Sequence, residues 1–155
     1  MIRGQVRRKA EKGSGRLVRG IAAAAVLAVW LAPAGVGLGA DWPWFRGPTR
    51  DGLSPETGIN KNWAEQPPPV LWTTEMHDEG FAGPAVAGGV LYIIDHQGDE
   101  DVVRAMDVRS GAPKWEFRYE AKGKSNYGYA RSTPTVDGEL VYTVSRDGVV
   151  HCLNA

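Results

Sequence analysis

Reactive and cross-linking residues are scarce in this 155-residue chain. Cys152 is the single cysteine, so no disulfide closes within one chain, no Cys-x-x-Cys pair exists, and a cysteine-based metal cluster is excluded. The sequence places neither a cation nor a helix N-terminus beside it to activate the thiol, so Cys152 reads as a small buried side chain in place of an alanine. Histidine is scarce too. His77, His96 and His151 are widely spaced and share no metal-ligand motif; the first two fall in expected loops and the third in a strand, with solvated or hydrogen-bonded structural roles. Asp95, Asp99, Glu100 and Asp101 offer oxygen ligands of the kind Ca²⁺ takes, but not at EF-hand spacing, and read as a solvated hairpin tip.

Net charge is absent as well, but the zero is an average of two unlike parts. Seven of the 18 basic residues and one of the 18 acids lie in residues 1–40, leaving 11 basic against 17 acidic residues beyond, a net −6. An acidic body repels a phosphate backbone, which excludes nucleic acid as a partner.

No charge occurs from Gly20 to Ala40. Basic residues precede this stretch, Ile21–Ala32 is apolar, Pro33 breaks it, and Ala34–Ala40 is small and glycine-rich. That order is the basic, apolar and cleavage-site pattern of an export signal, with the mature chain beginning near Asp41 and the protein periplasmic or secreted. Contact with the membrane is then transient. The competing reading is an anchor through residues 20–40, since an uncharged stretch of this length is just able to span a bilayer. No cysteine follows the apolar run, so lipid attachment there is excluded.

What is present in abundance is glycine (20), proline (10) and tryptophan (6), a composition that suits short strands and tight turns. One pattern occurs twice: Pro84-x-Val86-x-Gly88-x-Val90-x-Tyr92 and Pro134-x-Val136-x-Gly138-x-Leu140-x-Tyr142. Recurrence at such a period is the mark of a propeller or solenoid. In the first copy, strands are expected at 81–87 and 90–95, joined at Gly88-Gly89; after a turn over His96–Asp101 come strands at 102–108 and 114–119, the last alternating as Trp115, Phe117 and Tyr119. In the second, strands are expected at 132–136, 140–145 and 149–154, with turns at Asp137-Gly138 and 146–148. Val70–Thr74 reads as a further short strand. The fold class expected is all-β, with propeller blades of four-stranded antiparallel meanders in an incomplete ring of about two blades. The domains are an export signal (1–40), an extended aromatic arm (41–69) and a partial propeller (70–155), the last comprising a closing strand 70–74, a blade 81–119 and an incomplete blade 132–155. The arm is expected to lay Trp42, Trp44 and Phe45 on a hydrophobic surface and to be tied down by Arg46, Arg50 and Asp51.

The run Ala105-x-Asp107-x-x-Ser110-Gly111-x-x-x-Trp115, with the lead-in Asp41-Trp-Pro-x-Phe-Arg-Gly-Pro-x-Arg-Asp-Gly52, resembles the PQQ-like, quinoprotein-type β-propeller repeat proteins with tryptophan-docking motifs. Physically, Asp107 can accept hydrogen bonds from the N–H groups of the turn, Gly111 takes a backbone conformation other residues avoid, and Ala105 is small where a neighbouring ring lies. The resemblance implies a Trp between blades and further blades in cis, so the chain reads as the N-terminal portion of a longer protein. The function implied is an exported binding or assembly scaffold with protein or cell-envelope partners. Two alternatives are the N-terminal part of a PQQ-dependent alcohol or sugar dehydrogenase, and an inert truncated product. PQQ with Ca²⁺ follows only for the dehydrogenase, whose vicinal cysteine pair one cysteine excludes. The candidate ligand residues are Tyr127, Tyr129 and Arg131, in the loop between the blades, where stacking and a cation could grip a planar acid. Packing of that loop between blades is the competing role, and Glu79–Phe81 occupies the equivalent place before the first blade.

Overall fold

The computed structural model describes residues 39–123 and 126–155; residues 1–38 of the segment read as an export signal lie outside them. Among the described residues no helix is long and apolar enough to cross a membrane. Among the described residues seven strands form two antiparallel meanders. The first sheet runs in order through β1 (Ala85–Ala87), β2 (Val90–Gln97), β3 (Glu100–Asp107) and β4 (Pro113–Glu120). The second runs through β5 (Thr135–Asp137), β6 (Leu140–Val144) and β7 (Val150–Asn154). These are one four-stranded blade and one three-stranded blade.

The repeated stretch is the innermost hairpin of each blade. Ala87 pairs with Val90 across Gly88-Gly89, and Asp137 pairs with Leu140 across Gly138-Glu139. Gly88 and Gly138 have φ of 57° and 58°, a region that a Cβ disfavours. The second turn is thus one residue later than its Asp-Gly pair implies. Farther along, Tyr92 faces Ala105 and Tyr142 faces Cys152, so both copies keep one register.

The core lies between the sheets. Ala85, Tyr92 and Ala105 of the first meet Val136 and Val141 of the second, and Trp115 and Leu153 pack against the same cluster. A second cluster joins Ile94, Val103 and Ala130, with Trp115, Phe117 and Tyr119 against it. Strand β4 alternates as read from sequence: Trp115, Phe117 and Tyr119 are half-buried while Lys114, Glu116, Arg118 and Glu120 are exposed. Cys152 departs from expectation. It is exposed, because β7 is an outer strand of its sheet and lacks the fourth strand that covers Ala105 in the first.

Strand assignments also differ, residues 132–134 preceding β5 as a loop among them. The polar run 96–101 is not a turn; β2 continues to Gln97 and β3 starts at Glu100, because His96 and Asp101 face one another and join their side chains. Residues 70–74 form no strand, since no neighbouring backbone offers them a ladder among the described residues. Residues 81–84 precede β1 as a loop, with Phe81 N–H donating to Ala130 O at 2.8 Å.

The arm lies along the inner edges of both blades. Trp42 and Val86 exchange two backbone hydrogen bonds (2.7 and 3.0 Å), Val136 N–H donates to Pro43 O (2.9 Å), and Trp44 Nε1–H donates to Val136 O (2.8 Å). Edge strands β1 and β5 therefore have their ladder groups partly covered. Trp42 and Trp44 dock as expected, but Phe45 is 70% exposed. Arg46 and Asp51 brace the arm's own loop: Arg46 donates to Asp51 O, and the Asp51 carboxylate accepts from Thr49 Oγ1 and Leu53 N–H. Arg50 lies 4.7 Å over the Trp44 ring.

Candidate functional site

The long β2–β3 hairpin and β4 place three polar side chains in one row. His96 faces Asp101, and Asp101 faces Tyr119, continuing the rows of Ile94, Val103 and Phe117. All three point toward the second sheet, where water is scarce, so each polar atom needs a partner. His96 Nδ1 lies 2.7 Å from Asp101 Oδ1, and its Nε2 lies 2.7 Å from Gly98 O. Tyr119 O–H donates to the other Asp101 oxygen at 3.0 Å. Burial first, and then the Asp101 charge, pushes the Tyr119 phenol well above its ordinary range.

Rings close this row from both sides. Tyr129 stacks on His96 with centroids 3.8 Å apart, and His151 of β7 stacks on Tyr119 at 4.3 Å and meets Phe117 edge-on at 5.2 Å. His151 Nδ1 and Thr143 Oγ1, opposite one another on β7 and β6, are buried without a hydrogen-bond partner among the described residues.

A second polar group lies on the opposite face of the first sheet. Asp95 is fully buried and accepts from His77 N–H, His96 N–H and the Gln97 amide, with the His77 ring nitrogen 2.8 Å away. Burial alone would raise its pKa; the hydrogen bonds from His77, Gln97 and the backbone outweigh it and hold the carboxyl below the usual range. Arg104 of β3 lies 3.6 Å from Asp95 and donates to Glu75 O and Thr74 Oγ1, which fixes the preceding segment to this face.

The candidate ligand residues sit beside these groups. Tyr129 N–H donates to Glu79 O, and Phe81 N–H to Ala130 O, so the two loops that lead into the blades are pinned together. Gly128 is buried there; a Cβ on it would approach Glu79 O to 2.8 Å. One face of Tyr129 is covered by His96, while Tyr127 and Arg131 are exposed. A cleft of about 150 Å³ lies nearby, lined by Met76, Asp78, Gly80, Ala82, Ile93, Ile94, Asp95, His96 and Ala130.

The acids expected to be a solvated tip divide into two kinds. Asp99 and Glu100 are exposed; Asp95 and Asp101 are buried and engaged. Of the two roles expected for His96, solvated or hydrogen-bonded, the structure shows the second: it is buried between Asp101 and Gly98. Sequence reading missed the His96–Asp101–Tyr119 row, though a signal was present: each residue keeps the period-two phase of the apolar residues in its own strand. The turn after β3 has the hydrogen bonds expected of Asp107. Asp107 Oδ1 accepts from Arg109 N–H, Ser110 N–H and Ser110 O–H at 2.8–3.1 Å. Gly111, at φ 70°, lies under the Trp72 indole, which donates from Nε1 to Val108 O at 3.0 Å.

Family comparison agrees with this geometry. The family model described as outer membrane protein assembly factor BamB, of the PQQ-like repeat type, matches residues 68–155. The chain belongs to this PQQ-like repeat family. No curated protein gives a significant match. Asp95 and Asp101 are occupied by internal donors, one Tyr129 face is taken, and no three ligating side chains converge among the described residues. The arrangement holds the two loops that lead into the blades in place.

Proposed function

We propose that this chain is an exported scaffold of the cell envelope that uses its propeller-repeat surface to hold a protein partner. The observation that carries this reading is a contrast at the loops that lead into the blades. Beneath them the buried carboxylates are committed to internal donors; above them Phe81 and Tyr127 are about 70% and 68% exposed, flanking the buried Gly128. Exposed aromatic rings on a braced support are the usual anchors of protein interfaces. The family's description as an outer membrane assembly factor supports both the compartment and the class of partner. The basic and apolar order of residues 1–40 supports export.

Photo-crosslinking in cells tests the surface. A crosslinking residue at Phe81 is expected to capture an envelope protein, while one at exposed Lys61 does not; equal or absent capture at the two positions overturns the reading. Fusion of residues 1–40 to an alkaline phosphatase reporter tests export, with periplasmic activity expected and cytoplasmic retention decisive against it. Dye reduction by the chain supplied with PQQ, Ca²⁺ and an alcohol would replace the scaffold reading with a catalytic one.

A further inference from the structure

The turn that follows the arm's two indoles carries arginine where the backbone favours glycine. Arg46 has φ of 66° and Arg50 has φ of 59°, in a run that also holds left-handed Gly47 and Gly52. A long side chain is strained in that region and stays there only where its surroundings fix it. Here backbone bonds fix it: Gly47 N–H donates to Trp44 O, Arg50 N–H to Gly47 O, and Gly52 N–H to Arg46 O. Glycine or asparagine would build the same turn with less strain, so the side chain is what distinguishes arginine there.

Both arginines line one cleft of about 470 Å³, together with Trp44, Phe45 and Thr135. Arg104, Arg118 and Arg146 each have a carboxylate partner. Arg46 and Arg50 form no ion pair among the described residues. Arg46 gives one N–H to Asp51 O, and the Arg50 guanidinium lies 4.7 Å over the Trp44 ring. The Asp51 carboxylate is engaged by Thr49 and Leu53 instead. Phe45 adds a ring that is 70% exposed, and half-buried Thr135 of β5 adds a hydroxyl.

These groups suit one kind of ligand. The negative face of an aromatic ring attracts the C–H face of a sugar, and a guanidinium fork takes a carboxylate in two parallel hydrogen bonds. A bare anion would leave Phe45 without a role, and a neutral sugar would leave both cations without one. We propose that this cleft binds an acidic sugar, a uronate unit of a polysaccharide, with its ring on Phe45 and its carboxylate at Arg46 and Arg50. The cleft uses neither Phe81 nor Tyr127, so the proposal stands or falls apart from the protein-partner reading.

The test titrates the full 155-residue chain, in mild detergent, into a fluorescein-labelled oligogalacturonate and follows anisotropy. Saturable binding is expected, displaced by unlabelled oligogalacturonate and not by neutral dextran or by inorganic phosphate at the same concentration. Arg50→Gln should weaken it about tenfold. Phe45→Ala removes only an exposed ring, keeps the fold, and should weaken it about fivefold. Arg50→Lys keeps the charge without the fork and should also bind more weakly. Lys61→Gln, at an exposed cation outside the cleft, should change nothing. Absence of saturable binding overturns the proposal, as does equal displacement by dextran or by phosphate. So does Phe45→Ala binding like the parent, or Lys61→Gln losing as much as Arg50→Gln, since either outcome reduces the effect to plain attraction of a polyanion.

Discussion

Replacing Gly111 by alanine puts a methyl group where the Trp72 indole lies. The new Cβ would stand 2.6 Å from the ring, inside any real contact distance, so the indole must leave. Two costs add. Alanine at a φ of 70° costs about 1–2 kcal/mol. Displacing the ring forfeits its hydrogen bond to Val108 O, about 1 kcal/mol net, and the apolar contact of a half-buried indole, about 1 kcal/mol more. Gly98 separates the terms: its φ is 68°, yet nothing lies within 4 Å of an added Cβ. Gly98→Ala should therefore cost the backbone share alone, and Gly111→Ala about 2 kcal/mol more. Urea unfolding of the full chain followed by circular dichroism reads this difference; at ~1–2 kcal/mol per molar urea, the two midpoints should differ by about 1 M or more. In a Trp72→Ala background the excess should vanish. Equal midpoints for the two alanine variants, or an excess that survives removal of Trp72, would show that the indole is not docked on Gly111.

Further outcomes follow from the polar rows. Tyr119→Phe removes one of the two side-chain donors to buried Asp101 and should cost about 1–3 kcal/mol, more than Tyr127→Phe at an exposed ring, by the same unfolding assay. Because Asp95 has a folded pKa below its unfolded value, its contribution is present above about pH 4 and is lost as pH falls through the folded value. Acid titration of stability should show this loss in the parent and less of it in Asp95→Asn. Tyr119 has the opposite sign: its raised pKa supplies stability present below about pH 10 and lost as pH rises beyond, a loss that Tyr119→Phe should blunt. Asp107→Ala leaves two turn N–H groups and the Ser110 hydroxyl without their acceptor, so faster amide exchange is expected at Arg109 and Ser110, with little change at Gly88.

The parts of the fold legible in sequence were those fixed by local rules. The Gly88-Gly89 hairpin, the alternation of β4 and the Asp107–Gly111 turn each follow from residues within a few positions of one another. Misreadings arose where a distant partner decides. Residues 96–101 looked like a loop because they are polar, yet His96 and Asp101 satisfy one another and the strands run on beneath Tyr119. Residues 70–74 looked like a strand because they are β-branched and apolar, but a strand needs a ladder partner, and the sequence does not say whether one is at hand. Phe45 looked like an anchor beside Trp42 and Trp44; the two indoles took the surface, and the Arg46 and Gly47 turn carried the phenyl ring outward. Of the site, Tyr129 was read as one of three residues that could grip a planar ligand; in the structure its ring stacks on His96, a neighbour that only the paired loops bring beside it.

The hydrogen bond from Trp44 to Val136 spans 92 positions of the chain. Trp44 is made early, yet its acceptor exists only once β5 has been made and placed against β1. Such distant contacts form late, after the loop they close has been ordered by nearer ones. The arm is then the first part of the body to be synthesised and the last to settle. Until it does, both inner strand edges stay open, and environmental change at Trp44 would mark the moment at which the two blades have become one folding unit.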